Sequence, residues 1–163
     1  MDIILSFISA LKNSLSNLSN ELGIPDLQLD DSGRCQLTYQ DQFNLELIGI
    51  PQGGIQLHAY IYTLNDVDAI DEIFKKLLLW NTGYQNLKGT YIGISDRANS
   101  ITLNSILYMD SITSNDLNNA FNNFIAVAIE IKHKIEGLNG FSTDEVQYTP
   151  EGLDLSNMLN WRG

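Results

Sequence analysis

The sequence predicts an α+β domain with a twisted antiparallel sheet flanked by helices, and three observations carry that reading. Apolar residues recur at helical spacing in three separate stretches. Between them lie runs of polar/apolar alternation, split by short polar turns. The alternating runs come as a group of three and a group of two, not singly between helices, which argues against a doubly wound parallel sheet. The expected order is α-β-β-β-α-β-β-α.

The first helix is expected over residues 2–22, where Ile4, Ile8, Leu11, Leu15, Leu18 and Leu22 form one stripe. Ile3 and Phe7 widen it. Gly23 can close the helix, and Ile24, preceding Pro25, resists continuing it. Three strands follow. Cys35, Leu37 and Tyr39 alternate with polar residues, as do Phe43, Leu45 and Leu47, and then Ile55, Leu57, Ala59 and Ile61. This is a meander with one buried face. Gly53-Gly54 reads as a hairpin turn, since it lacks the lysine and helix of a phosphate loop.

A second helix is expected over 67–81, capped by Asn65 or Asp66 and ended by Thr82-Gly83. Strands over about 90–95 and 100–109 are joined by Asp96-Arg97-Ala98-Asn99. Thr113-Ser114-Asn115-Asp116 resembles a capping box and opens a third helix over 114–136, closed by Gly137. Its stripe is Leu117, Phe121, Phe124, Ala128, Ile131 and Ile135. Residues 1–137 thus make one domain, and 138–163 a C-terminal extension. The extension has a short apolar group: Leu153, Leu155, Met158, Leu159 and Trp161. Two readings of it stand, a segment packed on the body and an appendage.

Composition narrows the function. The chain has 163 residues, 44% hydrophobic and 18% charged, which suits a single packed domain. Twenty acids against nine bases give a net charge of -11, which disfavours nucleic acid and anionic membrane surfaces. The acidity serves solubility or favours a basic or neutral partner segment. The lone Cys35 argues for a reducing compartment. The N-terminus lacks the basic region and cleavage site of a signal peptide, and no apolar run reaches membrane-spanning length, so a soluble, cytosolic protein is expected.

Catalytic groups do not converge. His58 lies on the polar face of a strand and His133 between Lys132 and Lys134 on a helix. Cys35 falls on an apolar strand face, where a thiol is inert. The acids Asp66, Asp68, Asp71 and Glu72 lack the glycine and distal glutamate of a calcium loop, and they open a helix whose dipole they complement. No metal, cofactor or catalytic residue is expected. Surface is what remains: the broad face of the first helix, and a sheet edge able to accept a strand.

The stretch LGIPDLQLDDSGRCQLTYQDQFNLELIGIPQGGIQLHAYIY, residues 22–62, resembles the start of the class I type III secretion chaperones, the CesT/SycE-like Tir chaperone family. Its acidic-glycine turn is Leu29-Asp30-Asp31-Ser32-Gly33. LLLWNTGYQNLKGTYIGIS, with Leu78, Leu79 and Asn81, is similar to the family's second helix end and following strand. ITLNSILYMDSITSNDLNNAFNNFIAVA, with Leu117 and Phe124, is similar to its second strand pair and last helix.

The resemblance implies a homodimer formed mainly through the second helix and nearby strands. It implies binding of an N-terminal segment of a secreted effector, held non-globular along apolar patches with strand addition. It implies no cofactor and no turnover, a bacterial cytoplasmic location, and delivery to the secretion apparatus, whose ATPase or sorting components stand as candidate further partners. The expected effector-binding residues are Ile4, Phe7, Ile8, Leu11, Leu37, Tyr39, Phe43 and Leu45, some in the core and others partly exposed. The expected dimer contacts are Ile70, Ile73, Phe74, Leu77 and Trp80. Two other readings stay open: a regulatory or general protein-binding module of the same fold, and a small enzyme using His58 or Cys35.

Overall fold

The computed structural model describes residues 12, 13, 15–17, 19, 20, 27, 29–40, 42–50, 53–65, 70–83, 87–108 and 114–138. The described residues between 12 and 20 are helical (α1). The strands are β1 (Arg34–Tyr39), β2 (Phe43–Ile50), β3 (Gly54–Thr63), β4 (Tyr91–Ser95) and β5 (Ser100–Tyr108). Helix α2 spans Ile70–Thr82 and α3 spans Ser114–Leu138. Every expected strand is present, in one antiparallel sheet of order β1-β2-β3-β5-β4.

Register follows from the alternation. Leu37 opposes Leu45 and Leu45 opposes Ala59, while Leu57 opposes Ser105 and Ala59 opposes Leu103. One face of the sheet therefore collects the apolar side chains, and Tyr39 stacks on Phe43 at 5.2 Å. Leu15 of α1 and Leu117, Phe121, Phe124, Ala128, Ile131 and Ile135 of α3 close over that face in a single core. The whole expected stripe of α3 is buried. Gly54 is needed where β3 passes β5, because a Cβ there would sit 2.8 Å from the Leu107 carbonyl oxygen. At the hairpin before it, Gly53 takes φ 90°, a conformation open to glycine.

One boundary differs from expectation. Gly137 does not close the last helix, which runs on to Leu138. Leu138 packs against the core, and that burial outweighs the weak helix preference of glycine. The Asn65 side chain accepts a hydrogen bond from Asn99 Nδ2 at 2.9 Å and so ties its loop to the β4–β5 turn. Asp66, Asp68 and residues 67–69 of the second helix lie outside the described residues, as do residues 2–11 and 139–163.

Candidate partner-binding surface

The outer face of the sheet, away from the helices, carries a polar row across all five strands. Gln36, Glu46, His58, Asn104 and Tyr91 stand side by side in register. Gln36 Nε2 donates to Glu46 Oε1 at 2.9 Å, and Arg34 pairs with Glu46 at 3.4 Å. His58 Nδ1 lies 2.6 Å from Asn104 Oδ1, and Asn104 Nδ2 donates to Thr102 Oγ1 at 3.2 Å. The row is satisfied internally, so these groups serve to hold the face together.

Either side of the row the face changes character. At one end Ile48 and Ile50 are half-buried and Ile106 and Tyr108 exposed, with Tyr108 59% accessible. At the other end Thr38, Asn44, Tyr60 and Tyr62 line a shallow groove of about 260 Å³. This groove reaches β1, an edge strand of the sheet among the described residues.

The two sheet edges can be read from their hydrogen bonds. Gly49 donates to the Gly33 carbonyl at 2.8 Å, which fixes the two-residue rhythm of β1–β2 bonding. Arg34, Gln36 and Thr38 then point their backbone groups outward. Asp30 takes up the first of these: its Oδ1 accepts from Arg34 N at 2.9 Å, and its own N–H donates to the Arg34 carbonyl at 2.7 Å. The same carboxylate accepts from Ser32 N and Ser32 Oγ. Its pKa is held below the ordinary aspartate value, chiefly by the Ser32 hydroxyl and then by the Arg34 amide. Gln36 and Thr38 have no backbone partner on that side among the described residues.

The β4 edge is different. Asn81, at the end of α2, receives the Ile92 N–H on Oδ1 at 2.8 Å and donates Nδ2 to the Ile92 carbonyl at 3.0 Å. Its side-chain amide thus stands where a neighbouring strand would bond.

The expected site residues divide sharply. Leu37, Tyr39, Phe43 and Leu45 are all buried at 5% accessibility or less, which makes these four the core members of the expected set. The reason is the helical layer: alternation put them on the face that α1 and α3 cover. Ile4, Phe7, Ile8 and Leu11 lie outside the described residues.

On α2, Ile73 and Leu77 are core, while Ile70, Phe74 and Trp80 are half-buried. The exposed apolar residues of α2 and the helix-side face of β4 are ones not expected at an interface: Leu78 at 70% and Leu79 at 55%, with Ile94 of β4. The signal for Leu78 lay in the run Leu77-Leu78-Leu79, since consecutive helical residues cannot all face one core.

The groups weighed for catalysis stay apart. Cys35 is buried on the core face of β1. His58 belongs to the polar row, and His133 pairs with Glu136 on α3 at 3.4 Å. Among the described residues no group of histidine, cysteine, aspartate and glutamate is placed to hold a metal ion.

The profile of the Tir chaperone protein (CesT) family matches residues 13–132. No curated protein sequence matches the chain. Solved structures do share its fold. A chain of the ExsC-ExsE complex superposes with a TM-score of 0.64 at 17% identity, covering 80% of this chain and 94% of that one. A chain of the HopA1-SchA chaperone-effector complex gives 0.63 at 15% identity, covering 76% and 93%. A chain of the ExoU-SpcU heterodimeric complex, from the type III secretion system of Pseudomonas aeruginosa, gives 0.55 at 15%, covering 77% and 96%. At such identities the likeness is one of fold.

Proposed function

This chain belongs to the Tir chaperone protein (CesT) family, and from that premise we propose that it is a type III secretion chaperone that binds the N-terminal segment of a secreted effector and keeps it non-globular. The observation that carries this reading is the open edge at Gln36 and Thr38, contiguous with the Tyr60–Tyr62 groove. An extended segment can pair its backbone there and set alternate side chains on the outer face. Backbone pairing tolerates varied sequence, and the groove supplies selectivity. Binding of a disordered segment costs ordering entropy, which apolar contact must offset. Ile4, Phe7, Ile8 and Leu11, which lie outside the described residues, are a further part of the proposed contact.

Self-association belongs to the opposite side. Leu78 of α2 and Ile94, on the helix-side face of β4, are exposed apolar residues, and a two-fold axis there would bury them against their own copies. With β4 plugged by Asn81, this contact joins side chains rather than strand edges. Binding and release are non-covalent, the acting residues are apolar and backbone groups, and the chain works as a chaperone without turnover. No described helix is long and apolar enough to cross a membrane, which fits the bacterial cytoplasm as its working compartment.

The test is affinity purification from the native cell, followed by limited proteolysis of what remains bound. The expected result is one or a few partners whose protected fragment is N-terminal and lacks a cooperative fold of its own. Capture of folded partners through internal or C-terminal domains would contradict it and favour a general binding module.

A further inference from the structure

The outward backbone of β1 is closed at both ends. At its start both backbone groups of Arg34 are engaged: its N–H donates to Asp30 Oδ1 at 2.9 Å, and its carbonyl accepts from Asp30 N at 2.7 Å. The carboxylate is itself fixed, since Ser32 N and Ser32 Oγ donate to the same oxygen. Gly33, at φ 76°, donates to the Asp30 carbonyl at 2.9 Å and completes the turn that holds Asp30 against the edge.

At the other end the strand stops at Tyr39. Gln40 takes φ 44°, in the left-handed region, and Gln42 N–H donates back to the Tyr39 carbonyl at 2.7 Å. Lys132 of α3 donates to the Gln42 carbonyl at 2.9 Å and pins that turn to the helical layer.

Between these stops the outward positions are Gln36 and Thr38, which offer two N–H and two C=O groups with no backbone partner among the described residues. Two alternate residues of an antiparallel partner satisfy all four, so the run that pairs is about three residues long. Opposed residues share a face of the sheet. The outer two of the run therefore stand with Gln36 and Thr38 on the polar face, and the middle one with Leu37 on the apolar face. A run that reads polar–apolar–polar fits this window. A longer strand would meet the Asp30 turn.

Resting on the reading that the partner adds a strand at this edge, we propose that Asp30 is a specificity-determining stop, which admits one short extended run and refuses a continuous strand. At Arg34 the Asp30 turn fills the place that a further pairing residue would take. An edge so limited yields few backbone bonds, and selection falls on the single apolar residue beside Leu37.

An amide titration of the ¹⁵N-labelled full chain tests this with a synthetic probe. The probe is a nine-residue peptide that alternates threonine with N-methylvaline, so that it pairs along one edge only. The Gln36 and Thr38 amides should shift and exchange more slowly, with Arg34 unchanged. N-methylserine in place of N-methylvaline should weaken binding about tenfold or more, through loss of the buried aliphatic group.

Asp30→Pro removes both the carboxylate and the amide proton that engage Arg34. Arg34 should then join the footprint, and the probe should bind about three- to tenfold more tightly through the added bonds. A residue that only steadied its turn would give weaker binding when replaced. Should Asp30→Pro not fold, Asp30→Ala frees the Arg34 N–H alone, and that amide should respond to the probe. An Arg34 amide that titrates in the parent, or stays silent in a folded Asp30 variant, would overturn the stop and leave strand addition standing. Equal binding of the N-methylserine peptide would overturn the apolar selection. Silence at Gln36 and Thr38 would overturn strand addition and the stop together.

Discussion

At the β1 edge of the sheet Asp30 ties off Arg34 and leaves the next two outward positions, Gln36 and Thr38, without backbone partners among the described residues. At the β4 edge Asn81 occupies Ile92, the second residue of a five-residue strand. Both devices use a short side chain as a substitute for a strand, and their placement makes the difference. The plug on β1 leaves two further outward positions, Gln36 and Thr38, whereas the plug on the shorter β4 leaves only Ile94. On the proposed reading, the sheet accepts a partner at one edge and presents side chains for self-association at the other.

The largest expected effect lies on the closed side. Leu78→Asp should convert the proposed dimer to monomer, because a two-fold contact loses the side chain twice, at about 1.5–3 kcal/mol each. Light scattering at tens of micromolar reads this directly, and a dimer that survives would move the interface elsewhere. On the open side, Thr38→Pro removes an outward N–H while sparing the bonds to β2, as proline is tolerated on edge strands. The free protein should keep its far-ultraviolet spectrum. Partner affinity should fall about ten- to a hundredfold, from the ~1–3 kcal/mol cost of a partner carbonyl left unmatched.

Asn81→Ala is smaller and more telling. Two part-buried edge bonds are lost, about 1 kcal/mol of stability in a denaturant titration. The Ile92 amide should then exchange faster than in the parent.

The smallest effect concerns acid. The Asp30 carboxyl is held below its ordinary pKa by Ser32 and Arg34, so its contribution is complete above the unfolded value and fades as pH falls through the lowered one. Asp30→Ala should therefore lower the midpoint of thermal unfolding near neutrality and flatten its dependence on pH in the acid range. An unchanged acid slope would show that the Asp30 turn does not steady β1.

Much of this comparison was legible in the residues. The turn Asp30-Asp31-Ser32-Gly33 announces itself by composition, and Gly33 does take φ 76°. Helical and alternating periods identify the core: every residue of the α3 stripe, and the inward set of β1 to β3, is buried. What a period cannot give is which face is covered. It assigns Leu37, Tyr39, Phe43 and Leu45 to one side of a sheet, and only the packing of α1 and α3 makes that side interior. Ile106 and Tyr108 stand on the polar parity of β5, where alternation predicts hydrophilic residues.

Asn81 was visible as part of a family-like motif, yet its bond to Ile92, eleven residues on, depends on how α2 meets β4. Likewise the row Gln36, Glu46, His58, Asn104 and Tyr91 exists only through the register of five strands.

The central claim is that the partner enters at the β1 edge. Residue-resolved amide exchange of the free and partner-bound protein measures it. The account predicts strong slowing at Gln36 and Thr38 on binding, with Ile94 unchanged. Slowing at Ile94 with Gln36 and Thr38 unaffected would contradict it.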